Sequence, residues 1–586
     1  MRHGRALPFL VLMATAAAAT AQVRHELHSG WEIQSSCKLA GKTGAEISSA
    51  RFQPRGWIRT SVPSTVVAAQ LANKLVPDPQ YGMALRSLAG ETYPIGKNFS
   101  NLPMPDDSPY RCSWWYRTEF TLPAAFHGRN VALHFDGINY RANIWLNGKQ
   151  VANSNDVAGT WQLFEFDVTQ VLGAGENVLA AEVFAPTEND LALTWVDWAP
   201  APPDKDMGVW RPVYLTANGE VSIAHLYVRA EVDPDLAAAH LTLEAEVTNN
   251  TGHAITGDLV GSFAPEGKPA VAHKNGSPLS LRQPISLAAH EQRVILFEPR
   301  QFPELNVDNP RVWWPAEMGD SPLYEATLEF ASTASSAAGA ARAAQARTTF
   351  GIRQVTSDLI NGQRQFYING RPLLIRGGGW APDLLLREDH KRLEDEFRMT
   401  RDLGLNTIRL EGKLESDDFF DLADRYGILV MAGWCCCDMW EKWDKWTDET
   451  WKIATASLAD QVRRLRRHPS VFVWLNGSDN PPSSTVEQQY LEVLKKYDWP
   501  NPVVSSATDR VTEVSGPSGV KMNGPYDYVP PNYWLEDAQR GGAFGFATEI
   551  SPGAAIPTME SLERFVPREH LWPAKDDEVW KFHSGG

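Results

Sequence analysis

The run Val471-Phe-Val-Trp-Leu-Asn-Gly-Ser-Asp479 is the part of this sequence that decides the fold. Its residues up to Leu475 are apolar, which is the pattern of a parallel strand buried on both faces. Asn476 and Gly477 then break the pattern, and a carboxylate follows at Asp479. Because the carboxyl ends of barrel strands form the active-site face, the sequence predicts that this strand delivers Asp479 to that face.

A second run, Ala543-Phe-Gly-Phe-Ala-Thr-Glu549, also ends in a carboxylate. Two strands that each finish in a carboxyl group provide the groups for acid/base and nucleophilic chemistry on a sugar acetal. For a single acid at a strand end, a helix cap or an ion pair is the alternative interpretation. The choice between the two depends on the rest of the chain.

Strands and helices alternate around these two runs. Strands are predicted at residues 372–376, 406–410, 428–431, 471–475, 502–505, 520–523 and 543–548, with helices at 387–403, 417–426, 449–467 and 486–497. Seven such units favour a (β/α)8-type barrel over an open sheet. The count places Asp479 after the fourth strand and Glu549 after the seventh. Because the chain ends at Gly586 before an eighth strand, the sequence predicts a barrel that is truncated or completed by another polypeptide.

Two all-β regions precede this barrel, which gives a multidomain fold of the β plus α/β class. Residues 22–219 contain short alternating strands, and Asn147-Gly148 between two of them is a strong hairpin signal. Residues 220–350 have the size and strand pattern of an immunoglobulin-like β-sandwich. The predicted domains are therefore a β-sandwich at 22–219, a second sandwich at 220–350 and a barrel at 351–586.

The first residues have the three-part pattern of a secretory signal peptide, predicted at residues 1–21. Basic residues Arg2 and Arg5 precede an apolar run at 6–18, and small residues follow up to Ala21. The apolar run is too short to span a membrane. We therefore expect cleavage after Ala21 and export of the mature protein to the periplasm or the medium.

The composition is compatible with a neutral or cationic substrate. A net charge of −16 opposes binding to nucleic acid and to anionic membranes. The 22 Trp residues provide rings that stack on sugars, although such rings also fill cores. In an exported chain Cys37 and Cys112 can form a disulfide. The consecutive Cys435, Cys436 and Cys437 lack the spacing with which ligands converge on a metal ion, and no metal or cofactor is predicted.

The order of sandwich, sandwich and barrel, with acids after strands four and seven, resembles glycoside hydrolase family 2. This group contains β-galactosidases, β-glucuronidases and β-mannosidases. The supporting motifs are Trp145-Leu-Asn-Gly148, Phe350-Gly-Ile-Arg353, Ile368-Asn-Gly-Arg-Pro372 and the frame of Trp474, Gly477 and Asp479. The resemblance covers nearly all of the mature chain and implies a jelly-roll fold for residues 22–219. It also implies a retaining mechanism, with Glu549 as nucleophile and Asp479 as general acid/base whose pKa the nearby Glu549 raises.

Within that family the sequence is similar to the exo-β-D-glucosaminidase branch. Most members have Gly-Asn-Glu where this chain has Gly477-Ser478-Asp479. The motifs Arg409-Leu-Glu-Gly412 and Lys521-Met-Asn-Gly-Pro-Tyr-Asp-Tyr-Val-Pro530 also resemble the branch. The family Asn donates to a sugar 2-hydroxyl, but a 2-ammonium group has only donors, so the Ser478 hydroxyl suits it as an acceptor. The resemblance therefore implies release of terminal β-linked glucosamine from chitosan or chitooligosaccharides.

The resemblance also supplies candidates for substrate binding. Glu411 is the first candidate for the substrate ammonium, by its place in the motif and by its charge; an ion pair with Arg409 or Arg376 is the alternative. The further candidates are Ser478, Asp197, Trp434, Asp438, Tyr526, Tyr528 and Trp534. For the aromatic residues a place in the core is the alternative. Glu441 is a weaker candidate, because the charged run 441–445 is typical of a solvated face.

One departure from the branch concerns an acid. Where the branch has Gly-Trp-Glu-Cys-Cys, this chain has Gly433-Trp-Cys-Cys-Cys437, so an acidic residue is lost. Two other functions remain as alternatives. One is a β-mannosidase or an endo-β-mannosidase-type hydrolase on the same framework, and the other is a non-catalytic carbohydrate-binding protein if the barrel is truncated. A carbohydrate is the expected partner in each case, with no nucleic acid and no membrane, and the oligomeric state is left open.

Overall fold

The computed structural model describes residues 23–88, 102–193, 195–196, 199–267, 280–332, 344–526, 530, 533, 545–550 and 557–583. The signal peptide predicted at 1–21 and the candidates Asp197, Tyr528 and Trp534 lie outside the described residues. Within these ranges no helix combines the length and the apolar character that crossing a membrane requires.

The first unit is a β-sandwich, in which a six-stranded and a four-stranded antiparallel sheet share one core. In spatial order the six strands are Ile58–Thr60, Trp31–Ser35, Trp114–Thr121, Glu176–Phe184, Arg141–Leu146 and Lys149–Ala152, and the four are Val23–Glu26, Val213–Asn218, Asn130–Phe135 and Phe164–Asp167. A small third sheet joins Ser64–Thr65, Gly208–Val209 and Ile138–Asn139. The helices here are Gly44–Ile47, Val66–Ala72 and Ala84–Ser87, with 3-10 turns at Ser36–Lys38, Pro109–Arg111 and Ala124–Phe126.

Two local predictions for this unit are confirmed. The strands Arg141–Leu146 and Lys149–Ala152 form an antiparallel hairpin, and the two turn residues between them have positive φ, 52° at Asn147 and 81° at Gly148. Both values are those of the turn that Asn-Gly favours. Cys37 and Cys112 form a disulfide with a Cα–Cα distance of 6.0 Å.

The second unit is another β-sandwich with its own core. One sheet contains Val221–Val232, Ala238–Asn249 and Gln292–Phe297, with Asn306–Asp308 beside the second strand. The other sheet contains Ser280–Leu287, Ile255–Pro265, Tyr324–Ser332 and Ala344–Phe350, and a 3-10 turn covers Pro303–Leu305. The strict alternation of buried and half-buried residues along Ala238–Asn249 shows the period of two that a sheet with one covered face requires.

The third unit contains the predicted alternation of parallel strands and helices. A five-stranded parallel sheet has the order Gly377–Gly379, Thr407–Arg409, Leu429–Gly433, Val471–Leu475 and Val503–Val504, and a separate parallel pair joins Val520–Lys521 and Phe546–Ala547. The helices are His390–Asp402, Asp417–Tyr426, Asp448–Leu465, Ser484–Lys496, Met559–Phe565 and Glu578–His583. The shorter elements are the 3-10 turns Met439–Glu441, Trp443–Lys445 and Arg568–His570 and the hairpin of Val511–Thr512 with Gly516–Pro517. Within the described residues, Val471–Leu475 is therefore the fourth parallel strand and Phe546–Ala547 the seventh.

The first barrel strand differs from its prediction at residues 372–376. The structure places Arg371–Pro372 in an antiparallel sheet with Val355–Ile360 and Gln363–Ile368, before the barrel begins. The barrel strand is Gly377–Gly379, which has no apolar side chains to signal it. Glycine is required at its first position, because a Cβ on Gly377 would lie 2.5 Å from the backbone oxygen of Thr407 on the next strand.

Arg353 anchors the fourth strand to the second sandwich. Its guanidinium donates hydrogen bonds to the backbone oxygens of Pro469 at 2.8 Å and Val471 at 2.7 Å. The Arg353 side chain is buried, and Val471 is the first residue of the strand. This contact explains the motif that ends in Arg353: it fixes the end of the strand opposite to the one that carries Asp479.

Candidate active site

Asp479 lies in the loop that follows the fourth strand, and Glu441 holds that loop in place. The Glu441 carboxylate accepts hydrogen bonds from the backbone N–H groups of Ser478 at 2.9 Å and Asn480 at 3.1 Å, and from Asn480 Nδ2 at 2.9 Å. A Cβ on Gly477 would lie 2.1 Å from the backbone oxygen of Asn480, so the tight turn before Asp479 requires glycine. The position of Asp479 therefore depends on Glu441 as well as on its own strand.

Arg409, the last residue of the second barrel strand, connects the acids of the site. Its guanidinium donates to Glu549 Oε1 at 2.6 Å and to Ser478 Oγ at 2.7 Å. The hydroxyl of Tyr526 donates to the other Glu549 oxygen at 3.0 Å. Two donors on two oxygens fix the Glu549 carboxylate in one orientation.

Three carboxylates meet at the strand ends. Oxygen atoms of Glu411, Asp479 and Glu549 all lie within 4.8 Å of one another. Retaining glycosidases have their two carboxyl groups about 5–5.5 Å apart, and inverting ones about 6.5–9.5 Å, so the spacing of Asp479 and Glu549 suits retention. The same three acids have the donor type that a hard divalent cation prefers, but the Arg409 guanidinium already neutralises part of their charge.

The pKa of Asp479 is raised above its ordinary value. Burial is the largest cause, followed by the negative charges of Glu441 and Glu549, while Arg409 and the hydrogen bond from Ser478 act in the opposite direction. The sequence indicates Glu549 as a source of this raised pKa, and in the structure its charge is the third cause, after burial and Glu441. A carboxyl that holds its proton to higher pH is what a general acid needs.

Glu411 lies at the rim with a left-handed backbone and a partly exposed side chain. Its φ is 51°, and 19% of its side chain is exposed. Burial raises its pKa, Arg409 and Lys413 lower it, and Glu549 and Asp479 raise it. Arg409 Nη2 lies 3.8 Å from its carboxylate, whereas Arg376 pairs with Glu317 instead. The ion pair with Arg409 that is the alternative interpretation is therefore present, and the Glu411 carboxylate keeps a partly exposed face.

Ser478 is brought into the site, but its hydroxyl is already engaged. Its Oγ accepts from Arg409 and donates to Asp479 Oδ1 at 3.3 Å, and only 1% of the residue is exposed. A hydroxyl oxygen has two acceptor positions, so one remains after the bond from Arg409.

Two of the candidate residues are almost fully buried in the structure. Trp434 is 1% exposed and stacks on Trp440 with ring centroids 4.1 Å apart, which makes it a core residue beneath the site. Asp438 is also 1% exposed and accepts from the Trp440 backbone N–H at 2.8 Å, so it caps the turn Met439–Glu441. Burial raises the Asp438 pKa to about 7.

Two residues matter more here than the sequence indicated. Arg409 was considered only as a partner for Glu411, although its place beside Glu411 at a strand end was a usable signal. Glu441 is only a weaker candidate in the sequence, because its charged run is typical of a solvated face, but in the structure it is half-buried and bonded to the Asp479 loop. No local pattern reveals that role, because its partners lie almost forty residues further along the chain.

Three family models match the chain in sequence. They are described as glycosyl hydrolase 2 galactose-binding domain-like over residues 107–194, glycosyl hydrolases family 2 over 221–353, and glycosyl hydrolases family 2, TIM barrel domain, over 360–523.

Curated relatives and solved structures agree with these models. An exo-β-D-glucosaminidase of Streptomyces avermitilis is 41% identical over 564 residues, covering 94% of this chain and 57% of that protein. One from Amycolatopsis orientalis is 37% identical, covering 94% of this chain and 50% of that protein. The solved exo-chitosanase of A. orientalis in complex with PNP-β-D-glucosamine superposes with a TM-score of 0.82 at 35% identity, covering 94% of this chain and 60% of that one. The chain thus spans about half to three fifths of the length of these relatives.

Proposed function

Since the chain belongs to glycoside hydrolase family 2, we propose that it releases terminal β-linked glucosamine from chitosan or chitooligosaccharides with retention of configuration. The observation that carries this proposal is the group of Glu411, Asp479 and Glu549, whose carboxylate oxygens lie within 4.8 Å of one another. Two of the acids suffice for retaining hydrolysis. The third supplies a charge for a 2-ammonium group.

The proposed mechanism assigns one role to each acid. Glu549 attacks the anomeric carbon, while Asp479 gives its proton to the glycosidic oxygen and the leaving sugar departs. The glycosyl–Glu549 ester is then hydrolysed by a water molecule that Asp479, now ionised, deprotonates. Arg409 and Tyr526 orient Glu549 for the attack through the bonds at 2.6 and 3.0 Å.

The charge balance of the site supports an amino sugar. The cations that act on these three carboxylates include Arg409, which is 2.6 Å from Glu549 and 3.8 Å from Glu411, and Lys413, whose charge also lowers the pKa of Glu411. A glucosamine ammonium beside Glu411 adds a positive charge where burial disfavours the ionised acid. The relatives described as exo-β-D-glucosaminidases point to the same substrate class.

The test of this function compares substrates on one preparation. We expect turnover of an aryl β-glucosaminide and release of glucosamine from chitooligosaccharide ends, with little turnover of an aryl β-mannoside. A clear preference for the mannoside would overturn the proposal in favour of a β-mannosidase-type hydrolase. Binding of glucosamine oligomers in a fluorescence titration without any hydrolysis would favour a non-catalytic carbohydrate-binding protein.

We further propose domain boundaries at residues 219/220 and 350/351 and export after cleavage near Ala21. The sheets described above change from one unit to the next close to both boundaries, between Asn218 and Val221 and between Phe350 and Val355. Sequencing of the N-terminus of the mature protein tests the cleavage site.

Replacing Glu411 by glutamine is expected to raise KM for the aryl β-glucosaminide by about tenfold or more, with a smaller change in kcat. The reason is the loss of a charged hydrogen bond to the substrate ammonium, worth roughly 1.5–3 kcal/mol. KM for an N-acetylated glucosaminide, if it is turned over, changes less because that substrate lacks the charge. The control is Glu492→Gln, at an exposed acid on the helix Ser484–Lys496. An equal change in KM for both variants would show that Glu411 does not bind the ammonium.

Replacing Glu441 by glutamine is expected to shift the alkaline limb of the kcat/KM profile to lower pH. Glutamine keeps an oxygen to accept from the backbone at Ser478 and Asn480, but it removes one of the charges that raise the pKa of Asp479. Asp479 then loses its acidic proton at lower pH. Rates measured across the pH range for the wild type, Glu441→Gln and Glu492→Gln test this, and an alkaline limb identical in all three would contradict it.

A further inference from the structure

A disulfide between two neighbouring residues lies at the rim of the site. Cys436 and Cys437 are bonded to each other, in the loop after the third barrel strand, Leu429–Gly433. Cys436 is 3% exposed, and Cys437 is half-buried. The five cysteines of an exported chain allow disulfides, but nothing in the sequence indicates this pairing of adjacent residues.

The two sulfur atoms contact the acids of the site. Cys436 Sγ lies 4.0 Å from Glu411 Oε1. Both sulfur atoms and an Asp479 carboxylate oxygen lie within 4.8 Å of one another. The disulfide therefore touches the acid proposed to bind the ammonium and lies beside the proposed general acid.

The backbones of the two loops are also pressed together. A Cβ on Gly412 would lie 2.2 Å from the backbone nitrogen of Cys435, so the loop that carries Glu411 is in direct contact with the cysteine loop. Glu411 and Cys437 are non-glycine residues with φ of 51° and 73°. Such a conformation is strained, and it persists only where the surroundings enforce it.

The same loop continues to the support of Asp479. Directly after Cys437, Asp438 caps the turn Met439–Glu441, and Glu441 holds the backbone on both sides of Asp479. A displacement of the cysteine pair therefore moves Glu411 through direct contact. It moves Asp479 both through direct contact and through this turn.

We propose that the Cys436–Cys437 disulfide forms part of the wall of the sugar site and positions Glu411, so that breaking it weakens amino-sugar binding more than it slows bond cleavage. This inference rests on the proposed function. A disulfide holds its sulfurs about 2 Å apart, whereas non-bonded heavy atoms prefer about 3.5–4 Å. Reduction therefore moves at least one sulfur, and Cys437 has more free space than the buried Cys436.

The experiment reduces this bond in the folded protein. A water-soluble phosphine converts the disulfide and one water molecule into two thiols and the phosphine oxide. Peptide mapping after iodoacetamide treatment identifies which cysteines are reduced. In the variant Cys37→Ser/Cys112→Ser the other disulfide in the described residues is absent, so the effect is assigned to Cys436 and Cys437 alone. In the wild type, phosphine is titrated to the point at which the map shows Cys436 and Cys437 reduced and Cys37 and Cys112 still bonded, so the test does not depend on that variant folding.

We expect reduction to raise KM for the aryl β-glucosaminide about tenfold, to change kcat by less than about threefold, and to be reversed by oxidised glutathione; tenfold corresponds to about 1.4 kcal/mol. The variant Cys436→Ala/Cys437→Ala is expected to show the raised KM without reductant and no response to it. Calorimetric binding of glucosamine, which needs no turnover, is the second readout and should weaken in parallel.

The outcomes separate this inference from the proposed function. Unchanged KM and glucosamine affinity in a protein mapped as reduced would overturn the inference and leave the function standing. A protein that binds glucosamine without hydrolysis, and binds it less tightly once reduced, would overturn the function and support the inference. Labelling of both cysteines before reduction, or no glucosamine binding in the oxidised protein, would overturn the inference.

Discussion

Replacing Glu549 by glutamine is expected to lower kcat for an aryl β-glucosaminide by about 10⁴-fold or more, because an amide cannot form the covalent glycosyl ester. The substitution is conservative in shape. Its amide oxygen still accepts from Arg409 or Tyr526, which hold the carboxylate at 2.6 and 3.0 Å in the wild type. The loss therefore falls on the chemical step, and glucosamine binding by calorimetry should change far less than the rate of aryl release.

A control and a rescue make the assignment of Glu549 specific. Glu560→Gln, at an exposed acid on the helix Met559–Phe565, removes the same charge and is expected to keep the wild-type rate. In Glu549→Ala, added azide can enter the vacated space and attack the anomeric carbon, which yields an α-glycosyl azide. A residual rate near that of the wild type in Glu549→Gln, or a β-glycosyl azide from Glu549→Ala, would assign the nucleophile to another residue.

The positions of Asp479 and Glu549 could be located in the sequence because each residue follows a strand with a clear local signal. Val471–Leu475 is buried at every position, and burial on both faces leaves an unbroken apolar run that can be recognised without any partner. The seventh strand is predicted at residues 543–548, and within the described residues it covers Phe546–Ala547. The order of the strands is enough to place Glu549 after it. Counting units was sufficient here, because parallel strands bring their carboxyl ends to the same face.

Other parts of the site could not be predicted, for identifiable physical reasons. The first barrel strand, Gly377–Gly379, exists through backbone pairing and close approach, so it has no hydrophobic periodicity to detect. Glu441 lies in a charged run, and its role depends on contact with the Asp479 loop. The disulfide of Cys436 and Cys437 depends on the backbone conformation of one turn, with Cys437 at a φ of 73°, which residue types alone do not specify.

Replacing Asp479 by asparagine is expected to slow hydrolysis of chitooligosaccharides by about 10²–10⁴-fold and to spare the first step with a dinitrophenyl glucosaminide. The sugar leaving group needs a proton from Asp479, whereas dinitrophenolate departs without one. The second step still needs Asp479 as base. A burst of dinitrophenol followed by slow turnover is therefore expected in stopped-flow absorbance. Asp402→Asn, with a side chain 71% exposed, is the control and should behave as the wild type on both substrates.

The pH profile and azide decide whether Asp479 is the acid or only supports the site. With Asp479 gone, the alkaline limb of kcat/KM that its raised pKa produces should disappear. Azide should react with the glycosyl–Glu549 intermediate to give a β-glycosyl azide. Equal losses on both substrates with an intact alkaline limb would instead mean that another carboxyl donates the proton. Glu411 would be the nearest alternative, since its oxygens lie within 4.8 Å of both other acids and burial raises its pKa as well. In that case Glu411→Gln, rather than Asp479→Asn, would show the dependence on leaving group.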